Sequence, residues 1–399
     1  MKQTTKRNHP REAGVMLITI FGAAAAFGFM TDVTKPTMDV IRHFSPSYRP
    51  STGPGNGPSV REIRKPDSVP TIPRKVETPK RHVIVAVIDT GSDMSHPALH
   101  GHEWRNDGES GIDANGHDKA TNGIDDDGNG YVDDVSGFDF AEKKAVVVDR
   151  HGHGTHIAGI VVRSAPNVKI MNLKYFNRGL DGASALSNSL EAMRYAIKMH
   201  ADIINYSGGG TVASPEELAI LKEADKRGIL IVAAAGNEST NSERQPFYPA
   251  NYRLPNILSV TAIDEARGQV EILPTSNFGV RSVAIAAQGK DVQSTLPGGH
   301  YGQMTGTSQA TAFATGLAVR MLEMEPANLI SPEEIIERIV TSASASDILK
   351  GKTRLGSKLS ADRAMRFKSD RRPSASDRRE MVQAFESELA GQISASLTP

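Results

Sequence analysis

The sequence predicts an α/β fold of three layers, a mainly parallel central sheet covered by helices on both faces. Three observations carry that expectation. Between His82 and about Phe367, short β-branched runs alternate with longer helix-like stretches. The short runs are apolar throughout, as strands buried on both faces are. Strand-length and helix-length segments interleave along the chain, the order that produces parallel pairing with helical crossovers.

Residues 83–88 open the series, and 168–173, 201–205, 229–234 and 257–261 continue it. Among the helical stretches, 183–200 sets Leu190, Met193, Ala196 and Ile197 on one face, the spacing of a helix packed on a sheet. Residues 215–227 form a second, and an alanine-rich run from Ser308 to about Met324 a third. In sheets of this kind, ligands bind beyond the carboxyl ends of the strands. Residues leaving those ends are therefore the first candidates for chemistry.

The flanks read differently. The chain has 399 residues, and its first twelve include Lys2, Lys6, Arg7 and Arg11. Residues 13–30 then run without a charge, so 1–31 are expected to be a signal peptide or signal anchor. The expectation is an exported protein, secreted or periplasmic, or membrane-anchored through residues 13–30 with its main domain outside the cytoplasm. Residues 32–81 contain prolines 46, 50, 54, 58, 66, 70, 73 and 79 and read as a basic, extended linker. The main domain is expected over 82–367. A charged extension follows over 368–399, with Met381, Phe385 and Leu389 at helical spacing.

Charge and composition exclude several function classes. Lys+Arg and Asp+Glu both number 46, which argues against a wholesale nucleic-acid binder. With no cysteine, there is no disulfide framework, thiol nucleophile or Cys-ligated metal. Neutrality hides asymmetry: residues 1–82 carry 14 basic against 6 acidic side chains, and residues 103–139 carry 2 against 11.

Three motifs suggest one reaction. Asp89 leaves the first strand before Thr90 and Gly91. His151, His153 and His156 stand in a glycine-rich stretch at a helix start, without the i, i+4 spacing of a helical zinc pair. Ser308 follows Gly306 and Thr307 at the head of the alanine-rich helix, where free N–H groups favour a developing oxyanion. Alone, Asp89 suits a turn and Ser308 a cap. Together they supply a hydroxyl, a base and a carboxylate to orient it. Asn237, leaving another strand after Gly236, adds an amide donor for a tetrahedral oxyanion.

With these residues in this order, the chain resembles the subtilisin-like serine proteases over residues 82–345. The resemblance rests on Ile88-Asp89-Thr90-Gly91, His153-Gly154-Thr155-His156, Gly236-Asn237 and Gly306-Thr307-Ser308, with Ser276-Asn277-Phe278-Gly279 in support. It implies a subtilisin-like fold and a serine endopeptidase acting on protein or peptide substrates through an acyl-enzyme. It selects His153 as the base beside Asp89 and Ser308, with Asn237 as oxyanion donor. It also implies that Ser207, Gly208, Gly209 and Gly236 bind the substrate backbone, glycine permitting close approach. A monomer is expected. The chain departs from the family pattern at Gln309, Ala312 and Ala98, none of them a reacting group. Its rivals are a catalytically silent, calcium-dependent binding module on the same fold and a processing protease restricted to one substrate at a membrane surface.

The acidic loop over 122–134 alternates carboxylates with glycines. Asp125, Asp127 and Asn129 occupy positions 1, 3 and 5 of an oxygen-ligand calcium loop, and Gly130 position 6. Position 12 is Ser136, so this is not an EF-hand. The expected cofactor is a structural Ca2+ held by Asp125, Asp127, Asn129, Tyr131 and Asp133.

Overall fold

The computed structural model describes residues 81–265, 268–324 and 330–366. The expected leader, all but the last residue of the expected linker, and the expected carboxyl-terminal extension lie outside the described residues. Among the described residues, no helix is long and apolar enough to cross a membrane.

The chain enters on β1 (Ile84–Asp89) and passes through β2 (Gly137–Asp139), α1 (His153–Ser164), β3 (Lys169–Lys174), α2 (Gly182–Lys198) and β4 (Ile203–Tyr206). It continues through α3 (Pro215–Lys226), β5 (Leu230–Ala234), β6 (Ile257–Asp264), β7 (Glu271–Ile272) and β8 (Ile285–Gln288). After β9 (Val292–Leu296) and β10 (His300–Met304) come α4 (Thr307–Met324), α5 (Pro332–Thr341), β11 (Ser344–Ala345), β12 (Ser357–Lys358) and α6 (Ala361–Arg366). The sheet order is β11-β12-β8-β6-β5-β4-β1-β3-β2. Every neighbouring pair from β12 to β2 is parallel. β11 and β7 join antiparallel, and β9 with β10 forms a separate hairpin.

Alternation along β1 creates the two helical layers. Val83, Val85 and Val87 face one core, which includes Ile157 and Val161 of α1, Leu317 of α4 and Ile335 of α5. Ala86 and Ile88 face the other, which includes Leu190, Met193, Ala196 and Ile197 of α2 and Leu221 of α3. The three-layer architecture and the apolar face of α2 are therefore as the sequence predicts. β1, β3, β4 and β5 begin one or two residues later than expected. The hairpin β9–β10 and α5 were not expected, although α5 begins with a capping box between Ser331 and Glu334.

Register levels the strand ends. Ile88 lies opposite Tyr206, and Tyr206 opposite Ala233. The residues that follow, Asp89, Ser207 and Ala234, thus reach a common rim. Below that rim runs α4, which packs on β4, β5, β6, β8 and α1. A helix enclosed on nearly all sides has little room for large side chains, and α4 uses Ala310, Ala312, Ala314, Gly316 and Ala318. Where α4 crosses α1, a Cβ on Gly316 would stand 2.3 Å from the Ser164 Cβ.

That contact makes the helix crossing testable. Gly316→Ala is expected to lower the free energy of unfolding by about 1–3 kcal/mol through overpacking. Adding Ser164→Gly should restore part of the loss. Urea denaturation of the single and double variants measures both, and an unchanged midpoint for the single variant contradicts the packing described.

Candidate active site

α1 is locked against the end of β1. A Cβ on Gly154 would lie 2.0 Å from the Gly91 carbonyl oxygen, so only glycine permits this approach. Gly154 N–H donates to Thr90 Oγ1 at 3.0 Å. Asp149 satisfies the rest of the helix start. Its Oδ1 accepts from the N–H groups of His151 and Gly152 and from the Thr90 hydroxyl, and its Oδ2 from the N–H and hydroxyl of Thr155. Gly152, the residue before the helix, contributes no side-chain cap, and Asp149 takes over that role from outside. The sequence reading missed Asp149; an Asp four residues before His153 in the same motif was the available signal.

This frame brings His153 Nδ1 to 2.7 Å from Asp89 Oδ1, with both side chains buried. Asp89 Oδ1 also accepts from Thr90 N–H at 2.7 Å. Burial alone drives the His153 pKa down, but the charge and hydrogen bond of Asp89 outweigh it, and Asp149 adds to them. The result lies above the ordinary histidine value of 6.5. The neighbouring histidines go the other way. Burial, then the nearby His153 charge, pushes His151 down to about 4 and His156 down to about 3. His156 Nε2 lies 2.8 Å from the Val292 carbonyl oxygen and 3.2 Å from that of Gly302, so its ring pins α1 to the β9–β10 hairpin.

On the next strand, Ser207 follows β4. Its carbonyl accepts from Ser308 Oγ at 3.4 Å. Asn205, inside β4, accepts from Thr315 of α4 at 2.8 Å through its side-chain oxygen. On the strand beyond, Asn237 Oδ1 accepts from the Thr307 N–H at 3.0 Å and from the Thr307 hydroxyl at 3.2 Å. The start of α4 is thereby tied to the ends of β4 and β5. The turn carrying Asn237 is itself held by Asn277. Its Oδ1 accepts from Glu238 N–H and Thr240 N–H, and its Nδ2 donates to the Ala235 carbonyl. Gly236 has a φ of +99°, which keeps this turn a glycine position.

The structure thus sets Asp89, His153, Ser207, Asn237 and Ser308 along one rim, with Gly208 and Gly209 continuing from Ser207. One buried carboxylate, one raised imidazole, one hydroxyl at a helix start and one amide held by its oxygen are the parts of nucleophilic acyl transfer.

The acidic loop gathers a set of carboxylates different from the expected one. Oxygens of Glu109, Asp127 and Asp134 lie within 4.8 Å of one another. Of the expected carboxylates Asp125, Asp127 and Asp133, only Asp127 is among them. Asp125 accepts from the N–H groups of Asn129 and Gly130, Asp133 from that of Gly123, and Asp127 likewise from that of Asn129. Backbone donors inside so short a loop compete for its carboxylates. Asn129 turns its amide nitrogen to Asp134 at 3.0 Å, and Tyr131 stacks edge-on against Phe138, Phe140 and Tyr195. Asp134 is fully buried, accepts from the Tyr195 hydroxyl and from Asn106, and is pushed up to about 6 by burial. Glu109 is fully buried too, and its Oε2 has no hydrogen-bond partner among the described residues. An orphaned, buried carboxylate oxygen facing two other carboxylates fits a hard cation. Glu109 precedes the loop, where loop spacing alone could not point to it.

The model of the subtilase family, Peptidase S8, matches residues 80–373. The major intracellular serine protease of Bacillus subtilis is 30% identical over 284 residues, covering 68% of this chain and 78% of that protein. The intracellular serine protease of Paenibacillus polymyxa is 31% identical over 306 residues, covering 70% and 83%. A cold-adapted subtilisin-like serine proteinase of known structure superposes with a TM-score of 0.53 at 22% identity, over 69% of this chain and 88% of that one.

The three histidines of this motif should titrate apart. In an NMR titration of the imidazole C–H signals, His153 is expected to change charge above pH 6.5, while His151 and His156 stay neutral down to pH 5. A His153 that titrates below 6.5 contradicts the dominance of Asp89 over burial.

Proposed function

The chain belongs to the subtilase family and is a serine-type endopeptidase; on that premise we propose that Asp89, His153 and Ser308 carry the reaction and that Asn237 assists it. Ser308 Oγ attacks the carbonyl carbon of a peptide bond while His153 Nε2 takes its proton. The Nδ1–H of His153 stays on Asp89, which fixes the tautomer and stabilises the imidazolium. The oxyanion is met by the Ser308 N–H and the Asn237 amide. Collapse expels the amine, which takes its proton from His153, and water then hydrolyses the acyl-enzyme by the same steps in reverse. Ser207 to Gly209 and Gly236 line the path of an extended substrate strand, which adds its hydrogen bonds at this edge.

The observation that carries this reading is the buried 2.7 Å contact between Asp89 and His153, held by a helix start whose close approach to the Gly91 carbonyl needs glycine at 154. Protein substrates follow from the endopeptidase activity. Export of the domain rests on residues 1–31 alone.

Calcium is the cofactor we assign to the acidic loop. Glu109, Asp127 and Asp134 would hold the ion. Bound there, its two positive charges would offset two of the three clustered negative charges and fasten the loop beside the buried Asn106 and Tyr195 side chains, a purely structural service.

Two variants and the pH dependence of the wild-type protein test the catalytic assignment. Ser308→Ala should abolish both casein hydrolysis and labelling by a fluorophosphonate. Asp89→Asn should lower kcat by about 10,000-fold. Because the base must be neutral, wild-type kcat/KM should rise with pH through a value above 6.5, and Asp89→Asn should move that limb downward. Full labelling of Ser308→Ala rejects the assignment. For the metal, chelation should lower the melting temperature and millimolar calcium restore it, by about 2.7 kcal/mol at a hundredfold excess over Kd. Glu109→Gln should erase that response; identical melting with and without calcium in the wild-type protein removes the ion.

A further inference from the structure

A buried acid stands behind the segment that follows β4. Glu217, in the first turn of α3, is 3% exposed, and its carboxyl group is hydrogen-bonded to the Tyr252 hydroxyl. Tyr175 and Tyr206 also face it, both buried, and Asp89 acts on those two tyrosines from the end of β1. Among the described residues no cation pairs with Glu217. On α2, which packs on α3, Glu191 is paired with Lys143, Arg194 with Glu216, and Lys198 donates to the Asn129 carbonyl. β5 carries no titratable side chain.

Tyr252 has a single proton to give. Its hydroxyl accepts from the Ser214 N–H at 2.8 Å and donates to the Ser214 carbonyl at 2.9 Å. A protonated Glu217 donates to the same oxygen, and all three bonds coexist. An ionised Glu217 only accepts, so it competes with the Ser214 carbonyl for the hydroxyl proton. The carboxylate wins, because a charged acceptor makes the stronger bond. The Ser214 carbonyl then keeps only the Leu218 N–H of α3. Ser214 ends the segment that Ser207 begins, and Tyr252 meets that segment at a second point. Its ring lies 4.6 Å, centre to centre, from that of Tyr248, which pairs with Gly210 through both backbone groups at 2.7 and 3.0 Å. Tyr175 supports Gly208, where a Cβ would stand 2.2 Å from its hydroxyl oxygen.

We propose that Glu217 is a positioning residue for the segment 207–214, acting through Tyr252. Protonated, it leaves the tyrosine clamped on both backbone groups of Ser214; ionised, it takes the hydroxyl proton, and affinity for an extended substrate falls. The inference rests on the assignment of Ser207 to Gly209 as the path of the substrate strand and of Ser308 as nucleophile. Burial pushes Glu217 up to about 7, against the opposing pull of its bond to Tyr252. Burial above all holds the three tyrosines higher than the ordinary value of 10, so they stay neutral where Glu217 changes charge. One hydrogen bond of this kind is worth a factor of about 2 to 10 in binding.

The test uses the purified full chain, a blocked octapeptide without titratable side chains, and p-nitrophenyl acetate, which has no strand to add. Fluorophosphonate titration counts the active sites first. Between pH 6 and pH 9 the wild-type KM for the octapeptide should rise about two- to tenfold, with its midpoint near pH 7, while that for the acetate stays level. Glu217→Gln, whose amide donates to Tyr252 at every pH, should hold the octapeptide KM at its low value throughout. Tyr252→Phe should hold it at the high value. In all three proteins kcat should follow His153. A wild-type octapeptide KM that does not change with pH overturns the inference, whether or not the variants fold. So does a Glu217→Gln enzyme that keeps the wild-type rise. Failure of the parent assignment looks different: the wild-type chain would take up no fluorophosphonate, or Ser308→Ala would keep cutting the octapeptide.

Discussion

Everything at this rim depends on how closely α1 approaches β1. A helix start is an electrostatically demanding thing to bury, because its first N–H groups have no partners within the helix. Here Asp149 and Thr90 supply partners, and Gly154 removes the atom that would hold the two elements apart. Only then can an imidazole and a carboxylate share a buried hydrogen bond. Burying such a pair costs free energy that the pair itself need not recover. The apolar cores on both sheet faces carry that cost, and the gain is a histidine held in one tautomer.

The second constraint is α4, which brings a serine to the rim from beneath. A helix enclosed by four strands and another helix must be narrow, and its alanines and glycine make it so. The tethers at its start run to Asn237 and Ser207, which belong to two different strands. The relative position of hydroxyl and amide is thus set by strand register and not by loop conformation. Sites built on regular elements in this way keep their geometry better than sites on loops alone.

At the edge of the sheet the acidic loop follows other rules. Its own N–H groups satisfy most of its carboxylates locally, and the remainder are drawn inward by Asn106 and Tyr195. The aromatic cluster of Tyr131, Phe138, Phe140 and Tyr195 then anchors the loop to the helical layer on one face. Charge and apolar packing act together here. The Tyr195 hydroxyl of that cluster holds the buried Asp134, while the N–H groups of Asp126 and Asp127 hold the buried Glu109, and apolar side chains alone could leave neither acid uncompensated.

Periodicity by itself determined the layers of this protein. Apolar strand runs and the Leu190–Met193–Ile197 face of α2 define buried surfaces whatever the connections between them. Short motifs also picked out the residues proposed to react, Asp89, His153 and Ser308, because a glycine next to or two positions from each marks backbone free to approach something closely. Three matters were settled in tertiary structure. Asp149 became a cap only because the chain before α1 curls back over the helix start. Glu109 meets Asp127 and Asp134 because a segment before the acidic loop packs against it, which spacing within the loop does not record. Glu217 reads as an ordinary first-turn acid of α3 until Tyr206 and Tyr252 close over it. Local order is written in spacing along the chain, but a contact between segments tens of residues apart depends on register and burial, which no single stretch contains.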